Sequence, residues 1–414
     1  MKGRHSCRKR SISCLPAPKS AETCKRKSTP SVNSRDALLR PHGSASLAER
    51  KGRMMSDSVE FVGCDLHYHA DEPCFGRNPP TLESHTPRPV TINGEKRLVI
   101  DMHAHCQFPE IMPLIEGRPE LGGKDPFGHG GWGKGQELDR RLKAMDAMGV
   151  DMQVLSVSVF HHHHWAEREL AEELCRVQNE KMTELCAAHP DRFVPLSIVA
   201  LQHPDLAAQQ LEYNVKEMGH RGAMITAALD GEELADERFH PFWAKAEELD
   251  VIIFIHPRHF REGAPRFKGQ GFLSNIIGNP LDTTVALAHL IYEGTLDKFP
   301  GLKIVGAHGG GYLASYIGRF DHGHNSGDRG GRGAEQKAPS DYLNQLYFDT
   351  LVYGTENLHH LIRECGADRL MLGTDYPAGM NNLNPIAHLL SVEGLSDDDI
   401  DAILSGTVKK LLKL

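Results

Sequence analysis

Long hydrophobic runs are absent from the sequence. No apolar stretch approaches the ~20 residues that span a bilayer, and the N-terminus lacks the apolar core of a secretory signal. The chain has 414 residues, of which 40% are hydrophobic and 25% charged, as is usual for a soluble globular protein. We therefore expect no membrane partner and no secretion.

Paired cysteines are absent as well. The nine cysteines are odd in number, widely scattered and nowhere spaced as Cys-x-x-Cys. This pattern argues against a disulfide scaffold or a cysteine-rich zinc module, and it is typical of reduced thiols in a cytoplasmic enzyme. Histidine is abundant instead, with 25 copies. The search for a functional site therefore starts from histidine.

Acidic residues are scarce in residues 1–55, which hold 14 Lys or Arg against 3 Asp or Glu. This basic, Ser- and Pro-rich segment is predicted to be a disordered tail. One alternative is an upstream start that precedes Met54 or Met55. An organelle presequence is less favoured, because no clear amphipathic stripe is present. The remaining chain is acidic, which argues against a nucleic-acid partner.

Short apolar runs alternate with amphipathic ones from residue 97 onward. Eight runs resemble strands: 97–102, 152–157, 193–198, 221–226, 251–255, 303–307, 346–349 and 369–373. Eight helical patterns follow them in turn: 136–148, 166–188, 204–218, 238–249, 281–298, 312–322, 355–365 and 397–412. Near-continuous apolar strands imply a parallel sheet covered by helices. We predict an α/β protein with a (β/α)8 TIM barrel over 97–414; no Gly-x-Gly-x-x-Gly follows a strand, which disfavours a doubly wound sheet.

A short appendage over 56–96 precedes the predicted barrel. Asn93-Gly94 separates two strand-like runs and predicts a hairpin whose second arm is the first barrel strand. The appendage also carries His67-x-His69, one of two Asp-x-His-x-His patterns in the chain. Several prolines follow this pair, and no helix completes a βα unit. We therefore expect it to line the site at most, with replacement of the barrel pair as a less favoured alternative.

Side chains that can bind metal cluster at the predicted carboxyl ends of the strands, where such barrels carry their chemistry. His103 and His105 end the first strand, beside Asp101; His256 ends the fifth and Asp375 the eighth. Residues i and i+2 of a strand point to the same side, so the first two should converge. Three histidines and one aspartate suit Zn²⁺, or Mn²⁺ with more oxygen ligands. We predict one divalent metal, with zinc favoured and manganese as the alternative.

The stretch "AHGGGYLASYIGRFD" places His308 at the end of the sixth strand, before three glycines and a helix. A histidine there suits a general base, although the glycines could serve only the turn. Arg319 is too far along this helix to reach its own rim easily, so we expect it to bind a carboxylate across a subunit interface. After the second strand, the run 161–165 reads His-His-His-His-Trp. We expect His164 and Trp165 to line the substrate pocket; the alternative is an exposed polar loop.

The ordered motifs of residues 97–412 resemble the amidohydrolase superfamily, in its branch of 2-amino-3-carboxymuconate-6-semialdehyde decarboxylase-like proteins. They are "IDMHAH", "HPDRF", "IHP", "FPGLKIVGAHGGGYLASYIGRFD", "YFDT" and "LMLGTDYP". The resemblance implies one metal, usually zinc, held by His103, His105, His256 and Asp375. It also implies a homodimer in which Arg319 reaches the neighbouring subunit's substrate. The predicted fourth strand has no lysine, which argues against a two-metal site bridged by a carboxylated lysine.

The reaction expected from this resemblance is non-oxidative decarboxylation of a small unsaturated or aromatic carboxylic acid. His308 would act as acid/base on a metal-bound water. In a variant of this mechanism the substrate chelates the metal, and Asp375 or a histidine protonates the ring carbon. Hydrolysis of an amide or lactone, hydration, and a metal-binding barrel without turnover are the alternatives. The family's second carboxylate-binding arginine has no clear counterpart, although Arg118, Lys124 and Lys134 lie in the loop after the first strand.

Overall fold

A computed structural model of the chain describes residues 59–61, 90–92, 94–123, 127, 137–229, 231–269, 271–326 and 333–414. The predicted tail over 1–55 and most of the predicted appendage lie outside these residues. So do His67 and His69, and also Lys124 and Lys134. What was expected of His67 and His69 therefore stays a prediction, and neither lysine was assigned a role.

Eight parallel strands form the centre of the fold. They are β1 Ile100–Cys106, β2 Met152–Val157, β3 Phe193–Pro195, β4 Gly222–Thr226, β5 Ile252–His256, β6 Lys303–Gly306, β7 Leu346–Asp349 and β8 Leu370–Met371. Strands β1, β2 and β3 form one hydrogen-bonded set, and strands β4 to β8 form another. Within each set, every strand pairs with its neighbour in sequence. The observed strands match the eight predicted ones in order, although β3 and β8 are shorter than predicted.

Two bridges close these sets into a barrel. A parallel bridge between Ser197 and Ala223 joins β3 to β4. A second bridge, between Ala104 and Tyr376, joins the segment after β8 back to β1. There the backbone N–H of Met102 donates to the carbonyl of Leu372 at 2.8 Å. The ring of strands is therefore continuous, as the predicted TIM barrel requires.

A helix follows each strand and covers the barrel. The helices are α1 Leu138–Met148, α2 Arg168–Ala188, α3 Pro204–Lys216, α4 His240–Leu249, α5 Asn279–Tyr292, α6 Leu313–Asn325, α7 Thr355–Cys365 and α8, which comprises the consecutive segments Asp397–Asp401, Ala402–Gly406 and Thr407–Leu412. Shorter helices are Met112–Ile115, Thr295–Lys298 and Pro385–Leu390. Among the described helices, none has both the length and the apolar character that crossing a membrane requires.

Local chemistry accounts for several helix boundaries. Pro204 opens α3, where its missing N–H costs nothing. Ser396 and Asp399 form a capping box that starts α8. The helix predicted over 281–298 is interrupted: α5 ends at Tyr292, because Gly294 adopts a left-handed φ of 75° before a short second helix begins.

Two apolar layers hold the barrel together. The inner layer fills the space enclosed by the strands and includes Met224, Phe254 and Val305. The outer layer lies between strands and helices and includes Leu155, Ile253 and the fully buried Trp243. Alternate strand residues enter the two layers, because successive side chains point to opposite faces.

The predicted hairpin is present, but its second arm is not the first barrel strand. Val90–Ile92 pairs antiparallel with Glu95–Arg97 around Gly94, whose φ is 78°, and Val59–Phe61 pairs with Val90–Ile92 from the other side. β1 begins only at Ile100. Asp151 separates the two elements, because its carboxylate accepts the N–H of Val99 at 2.9 Å and its own N–H donates to the carbonyl of Val99. The prediction of one continuous strand was therefore wrong.

Candidate active site

Four side chains of metal-ligand type meet at the carboxyl end of the barrel. They are His103 and His105 of β1, His256 at the end of β5 and Asp375 after β8; all are buried, and one candidate ligand atom from each lies within 4.8 Å of the others. The Nε2 atoms of His103 and His105 are 3.0 Å apart. Oδ1 of Asp375 lies 3.4 Å from the first of these atoms and 3.2 Å from the second. The structure thus brings together the predicted ligand set.

A register shift in β1 directs its two histidines into the barrel. The pairing of β1 with β2 is irregular between Asp101 and Ala104. Within this irregular segment Met102 belongs to the inner apolar layer, whereas Ala104, after it, belongs to the outer layer. His103 and His105 consequently both face inward. With uninterrupted alternation from the inward-facing Met102, both histidines would face outward.

Each of the three ligand-type imidazoles is oriented by a partner on one ring nitrogen. Nδ1 of His103 lies 2.6 Å from Oδ2 of Asp349, and Nδ1 of His105 lies 3.0 Å from Oγ of Ser156. Nδ1 of His256 lies 2.8 Å from the carbonyl of Pro257, and its buried Nε2 has no hydrogen-bond partner. The orienting partner of each ring thus contacts Nδ1 and not Nε2, which is the arrangement of metal-binding histidines. These residues fit a single divalent metal.

Asp349, at the end of β7, was not among the predicted site residues, although it contacts two of them. Its Oδ2 accepts hydrogen bonds from Nδ1 of His103 and from the backbone N–H of His308, at 2.6 and 2.9 Å. Its Oδ1 accepts the N–H groups of Gly309 and Leu351, at 2.9 and 3.0 Å. One fully buried carboxylate therefore orients a ligand-type histidine and the turn that carries His308.

The pKa values of the cluster residues are shifted in different directions, so that some members are neutral and others are charged. Burial lowers the pKa of His105 to about 4 and that of His256 well below its usual value, so both rings are neutral, as ligands must be. Burial also disfavours the charged forms of His103 and Asp375. Hydrogen bonds nevertheless prevail: those to Asp349 and Asp375 raise the pKa of His103 to about 10, and those from the histidines hold the pKa of Asp375 well below its usual range. A metal that binds here competes with the proton of His103.

His308 lies beside the four-residue cluster on a strained turn. Its φ of 54° is left-handed, and its Nε2 lies 3.7 Å from Oδ2 of Asp375. The three following glycines are required by close packing: a Cβ on Gly310 would lie 2.5 Å from the ring of Phe348, and one on Gly311 would lie 2.0 Å from the carbonyl of Pro280. The turn therefore has a geometric cause, and it presents His308 to the site.

A buried polar network supports the ligand-bearing segments from below. Asp101, the second residue of β1, accepts the backbone N–H of Thr374 at 2.9 Å and its hydroxyl at 2.6 Å. Its Oδ2 also accepts from the side-chain amide of Gln153, which in turn accepts from Arg141 at 2.8 Å. Arg141 also donates to the carbonyl of His105. The network joins β1, β2 and the segment before Asp375, and Asp101 takes a supporting position in it.

The histidine run after β2 is buried, so an exposed polar loop is excluded. His161 to His164 are each at most 8% exposed, and Trp165 is half-buried. Nε2 of His164 lies 3.4 Å from the hydroxyl of Thr226, which is paired with His256 between β4 and β5. His164 therefore lies one residue contact from a ligand-type histidine, while its predicted place in the substrate pocket stays a prediction. Trp165 contacts His163 instead, with ring centroids 5.5 Å apart.

The two arginines considered for the substrate's acid group are both exposed. Arg319 is exposed on α6, and the expectation that it binds a carboxylate across a subunit interface stays a prediction. Arg118 is exposed in the loop after β1, with its guanidinium 6.0 Å from the ring centroid of Trp165.

A closed (β/α)8 barrel with this cluster at its carboxyl rim has the architecture of amidohydrolase-type enzymes. The chain belongs to the amidohydrolase family, whose profile matches residues 100–414. The predicted family and fold are thereby confirmed.

Several relatives that this chain resembles are decarboxylases. It is 28% identical to 2-amino-3-carboxymuconate-6-semialdehyde decarboxylase of Dictyostelium discoideum, over 77% of this chain and 92% of the relative. It is 31% identical to gamma-resorcylate decarboxylase of Rhodococcus jostii, over 63% of this chain and 83% of the relative. The crystal structure of a dihydroxybenzoic acid decarboxylase from Polaromonas sp., with bound manganese and the inhibitor 2-nitroresorcinol, superposes with a TM-score of 0.66 at 27% identity and covers 77% of this chain and 97% of that one.

Proposed function

We propose that this protein is a metal-dependent non-oxidative decarboxylase, a carboxy-lyase that acts on a small aromatic or unsaturated carboxylic acid. The observation that carries the proposal is the buried cluster of three histidines and one aspartate at the barrel rim, with His308 beside it. The decarboxylase activity of relatives matched over most of their length supports it.

The metal ligands in this proposal are His103, His105, His256 and Asp375. The metal would be zinc or manganese: three imidazoles favour zinc, and the manganese in the related dihydroxybenzoic acid decarboxylase favours the alternative. When bound, a divalent cation lowers the pKa of water toward ~7 and polarises a carboxylate or phenol oxygen.

Side chains of the protein are proposed to supply the proton that replaces CO₂. Loss of CO₂ breaks the bond between the carboxylate and its carbon, and the electron pair left on that carbon takes up one proton. His308 is the proposed acid/base, because Asp349 fixes its backbone and its Nε2 faces Asp375 at 3.7 Å. Asp375 would be the alternative proton donor in this proposal. His164 and Trp165 are proposed to line the substrate pocket.

The active unit is proposed to be a homodimer in which Arg319 reaches the partner's site. On α6, Arg319 is three residues after Tyr316, which is 58% exposed. Nearby, the hydroxyl of Tyr312 donates to the carbonyl of Ile276, a residue that is 50% exposed itself. An arginine beside exposed aromatic and aliphatic side chains is the composition of a protein interface.

We also propose that the enzyme is cytoplasmic. The four described cysteines, Cys106, Cys175, Cys186 and Cys365, are all buried and free of disulfides, which suits a reducing compartment.

A substrate panel tests the proposed reaction. Carboxymuconate semialdehydes, hydroxybenzoates and dihydroxybenzoates are incubated with zinc- or manganese-loaded protein, and CO₂ release is measured beside the hydrolysis of esters, amides and lactones. We expect CO₂ from at least one acid, with loss of activity in His308→Gln at unchanged metal content. Cleavage of esters or lactones without CO₂ release from any acid would refute the decarboxylase proposal.

A further inference from the structure

The imidazole of His256 is oriented by the peptide that follows it. Its Nδ1 lies 2.8 Å from the carbonyl of Pro257, the next residue. A carbonyl oxygen can only accept a hydrogen bond, so Nδ1 carries the ring proton and Nε2 carries the lone pair. This Nε2 is buried without a hydrogen-bond partner, on a member of the four-residue metal-ligand set. The direction of the Pro257 carbonyl therefore helps to decide where a candidate ligand atom points.

The same peptide unit is held on its other side by Asp282. The C=O and N–H of a trans peptide point in opposite directions, so fixing one of them fixes the other. Here the C=O belongs to Pro257, and the N–H of Arg258 donates to Oδ2 of Asp282 at 3.1 Å. Asp282 lies in the first turn of α5, so this bond fastens the loop after β5 to a helix. A continuous hydrogen-bonded path thus runs from Asp282 through one peptide to His256.

The carboxylate of Asp282 is buried, which makes its charge costly. The residue is only 6% exposed. Burial raises its pKa to about 6, even though hydrogen bonds from the backbone of Arg258 and His259 lower it. An asparagine would accept the same N–H without this cost, and an exposed carboxylate at a helix start would interact with the helix dipole equally well. Neither packing nor helix stabilisation therefore accounts for a buried charge at this position.

A charged acceptor on one side of a peptide strengthens the hydrogen bond on its other side. Hydrogen bonds in a chain polarise one another, which strengthens each bond by roughly 10–30%. A stronger acceptor at Nδ1 in turn makes Nε2 a more basic ligand, as carboxylates do when they contact metal-binding histidines directly. His103 has such a direct partner, Asp349, at 2.6 Å. Asp282 has the position to act on His256 in the same way, through one intervening peptide.

We propose that Asp282 is a positioning residue of the metal site, which fixes and polarises the peptide between Pro257 and Arg258 and thereby orients His256. The inference rests on the proposed function, since it takes His256 to be a metal ligand. Asp282 lies outside the four-residue ligand set and acts only through the peptide. The metal site then has two orienting carboxylates, one in direct contact with a ligand-type histidine and one a peptide away.

Substitutions of Asp282 in the full-length protein test this role. Asp282→Asn keeps the shape and an accepting oxygen but removes the charge, Asp282→Ala removes the acceptor, and Asp282→Glu keeps the charge. Asp297→Asn is the matched control, because Asp297 also accepts a backbone N–H, that of Gln336 at 3.0 Å, but follows the other end of α5.

Two measurements on these variants report the metal site without an activity assay. Competition with a calibrated chelator gives the Kd of zinc. Bound Co²⁺ shifts the ring N–H resonances of its histidine ligands away from all other protons, so NMR of the Co²⁺-loaded protein follows each ligand separately. Urea unfolding of the metal-free protein gives the stability of each variant.

We expect Asp282→Asn and Asp282→Ala to raise the Kd of zinc by about 10-fold or more, as the loss of an orienting partner implies. Asp282→Glu should recover part of this loss. One ligand N–H signal of the Co²⁺-loaded Asp282→Asn protein should move or exchange faster with solvent, while the others stay. At about pH 8 the same variant should be no less stable than wild type, because an unfavourable buried charge is gone. A merely structural role does not weaken metal binding without lowering stability.

The control and the contrary results are equally definite. Asp297→Asn should leave the Kd and the Co²⁺ spectrum unchanged, whatever its stability. A wild-type Kd in both Asp282→Asn and Asp282→Ala, or an equal shift of all ligand signals, would overturn the role of Asp282.

This inference and the proposed function fail in different ways. If His256→Ala retains the ion that wild type binds, His256 is no ligand, and the proposed ligand set falls together with the inference. If His256→Ala loses the ion but the Asp282 variants bind it as wild type does, the ligand set stands and only the inference falls. If Asp282→Asn weakens metal binding while no acid releases CO₂, the role of Asp282 stands and the decarboxylase proposal falls.

Discussion

Substitution of Asp349 by asparagine probes how the protein prepares its metal ligands. The two side chains have nearly the same shape, but only one of the two asparagine terminal atoms accepts hydrogen bonds. Asp349 accepts two on each oxygen: His103 and the His308 N–H on one, the Gly309 and Leu351 N–H groups on the other. In either orientation, the amide NH₂ of the variant therefore faces two former donors.

The magnitude follows from this count. Each buried donor that loses its acceptor costs about 1–3 kcal/mol, so Asp349→Asn should lower the free energy of unfolding by roughly 2–6 kcal/mol. If the NH₂ faces Nδ1 of His103, that nitrogen must become the acceptor, and the ring proton moves to Nε2, the nitrogen that faces Asp375. A protonated Nε2 cannot bind a metal ion. Loss of such an orienting partner typically weakens metal affinity by about 10- to 100-fold.

Urea unfolding and competition with a calibrated chelator measure these two effects. Asp236→Asn is the control, because Asp236 accepts the N–H of Arg238 at a helix start, a position where asparagine serves equally well. The control should match wild type in both assays. Wild-type metal affinity in Asp349→Asn, whatever its stability, would refute the argument that Asp349 orients His103 for the metal.

Four further predictions concern stability, ligand choice and assembly. Burial raises the pKa of Asp282 to about 6, so between about pH 4 and 6 the folded state keeps a proton that the unfolded state releases. The free energy of unfolding of the wild type therefore falls as pH rises through this window. Urea unfolding should show that Asp282→Asn gains up to about 3 kcal/mol over wild type as pH rises from about 4 to 6. His103→Ala should abolish metal content and activity together by elemental analysis and assay, whereas His67→Ala should retain the metal; the reverse result would exchange their roles. Arg319→Ala should keep its metal but lose activity, and mixing it with His103→Ala should restore part of that activity; without restoration, Arg319 acts within its own subunit or not at all. Arg141→Met should lower the free energy of unfolding, measured with urea, by about 2–6 kcal/mol, because two buried acceptors lose their donor. An unchanged midpoint would refute a structural role of Arg141.

Hydrophobic patterning was sufficient to predict the barrel and the convergence of its ligand-type residues. Eight buried strands alternate with amphipathic helices, and this order leaves few topologies. Once the strands were assigned, His256 and Asp375 had to lie at the same rim, because parallel strands end on one side. Distance along the chain therefore did not matter to the prediction.

Details that depend on contacts between distant segments were not predictable in the same way. The register shift in β1 is caused by pairing with β2 and leaves no mark in the alternation of residues. Similarly, Asp151 separates the hairpin from β1 by accepting the N–H of Val99, a residue some fifty positions away in sequence. His161 to His164 are polar and were open to interpretation as an exposed loop, yet they are buried. Their burial depends on distant contacts, such as the stacking of His161 on Phe127.

Asp349 could have been found by the rule that found Asp375. It ends the run "LYFD", and a carboxylate at the end of a buried barrel strand lies at the functional rim. Its partner, His103, is 246 residues away in sequence. The sequence therefore marked the position as functional, but the role of orienting a ligand became visible only when the two side chains were seen in contact.

The most direct test of the proposed activity is metal dependence of CO₂ release in a single preparation. Protein stripped of metal by a chelator is reloaded with increasing zinc or manganese, and bound metal and CO₂ release from an accepted acid are measured together. We predict that activity is absent without metal and rises in proportion to occupancy until one ion is bound per chain, and that His256→Ala neither retains the ion nor releases CO₂. CO₂ release that persists in the stripped protein, or full occupancy without release from any acid that the relatives' names suggest, would contradict the proposed activity.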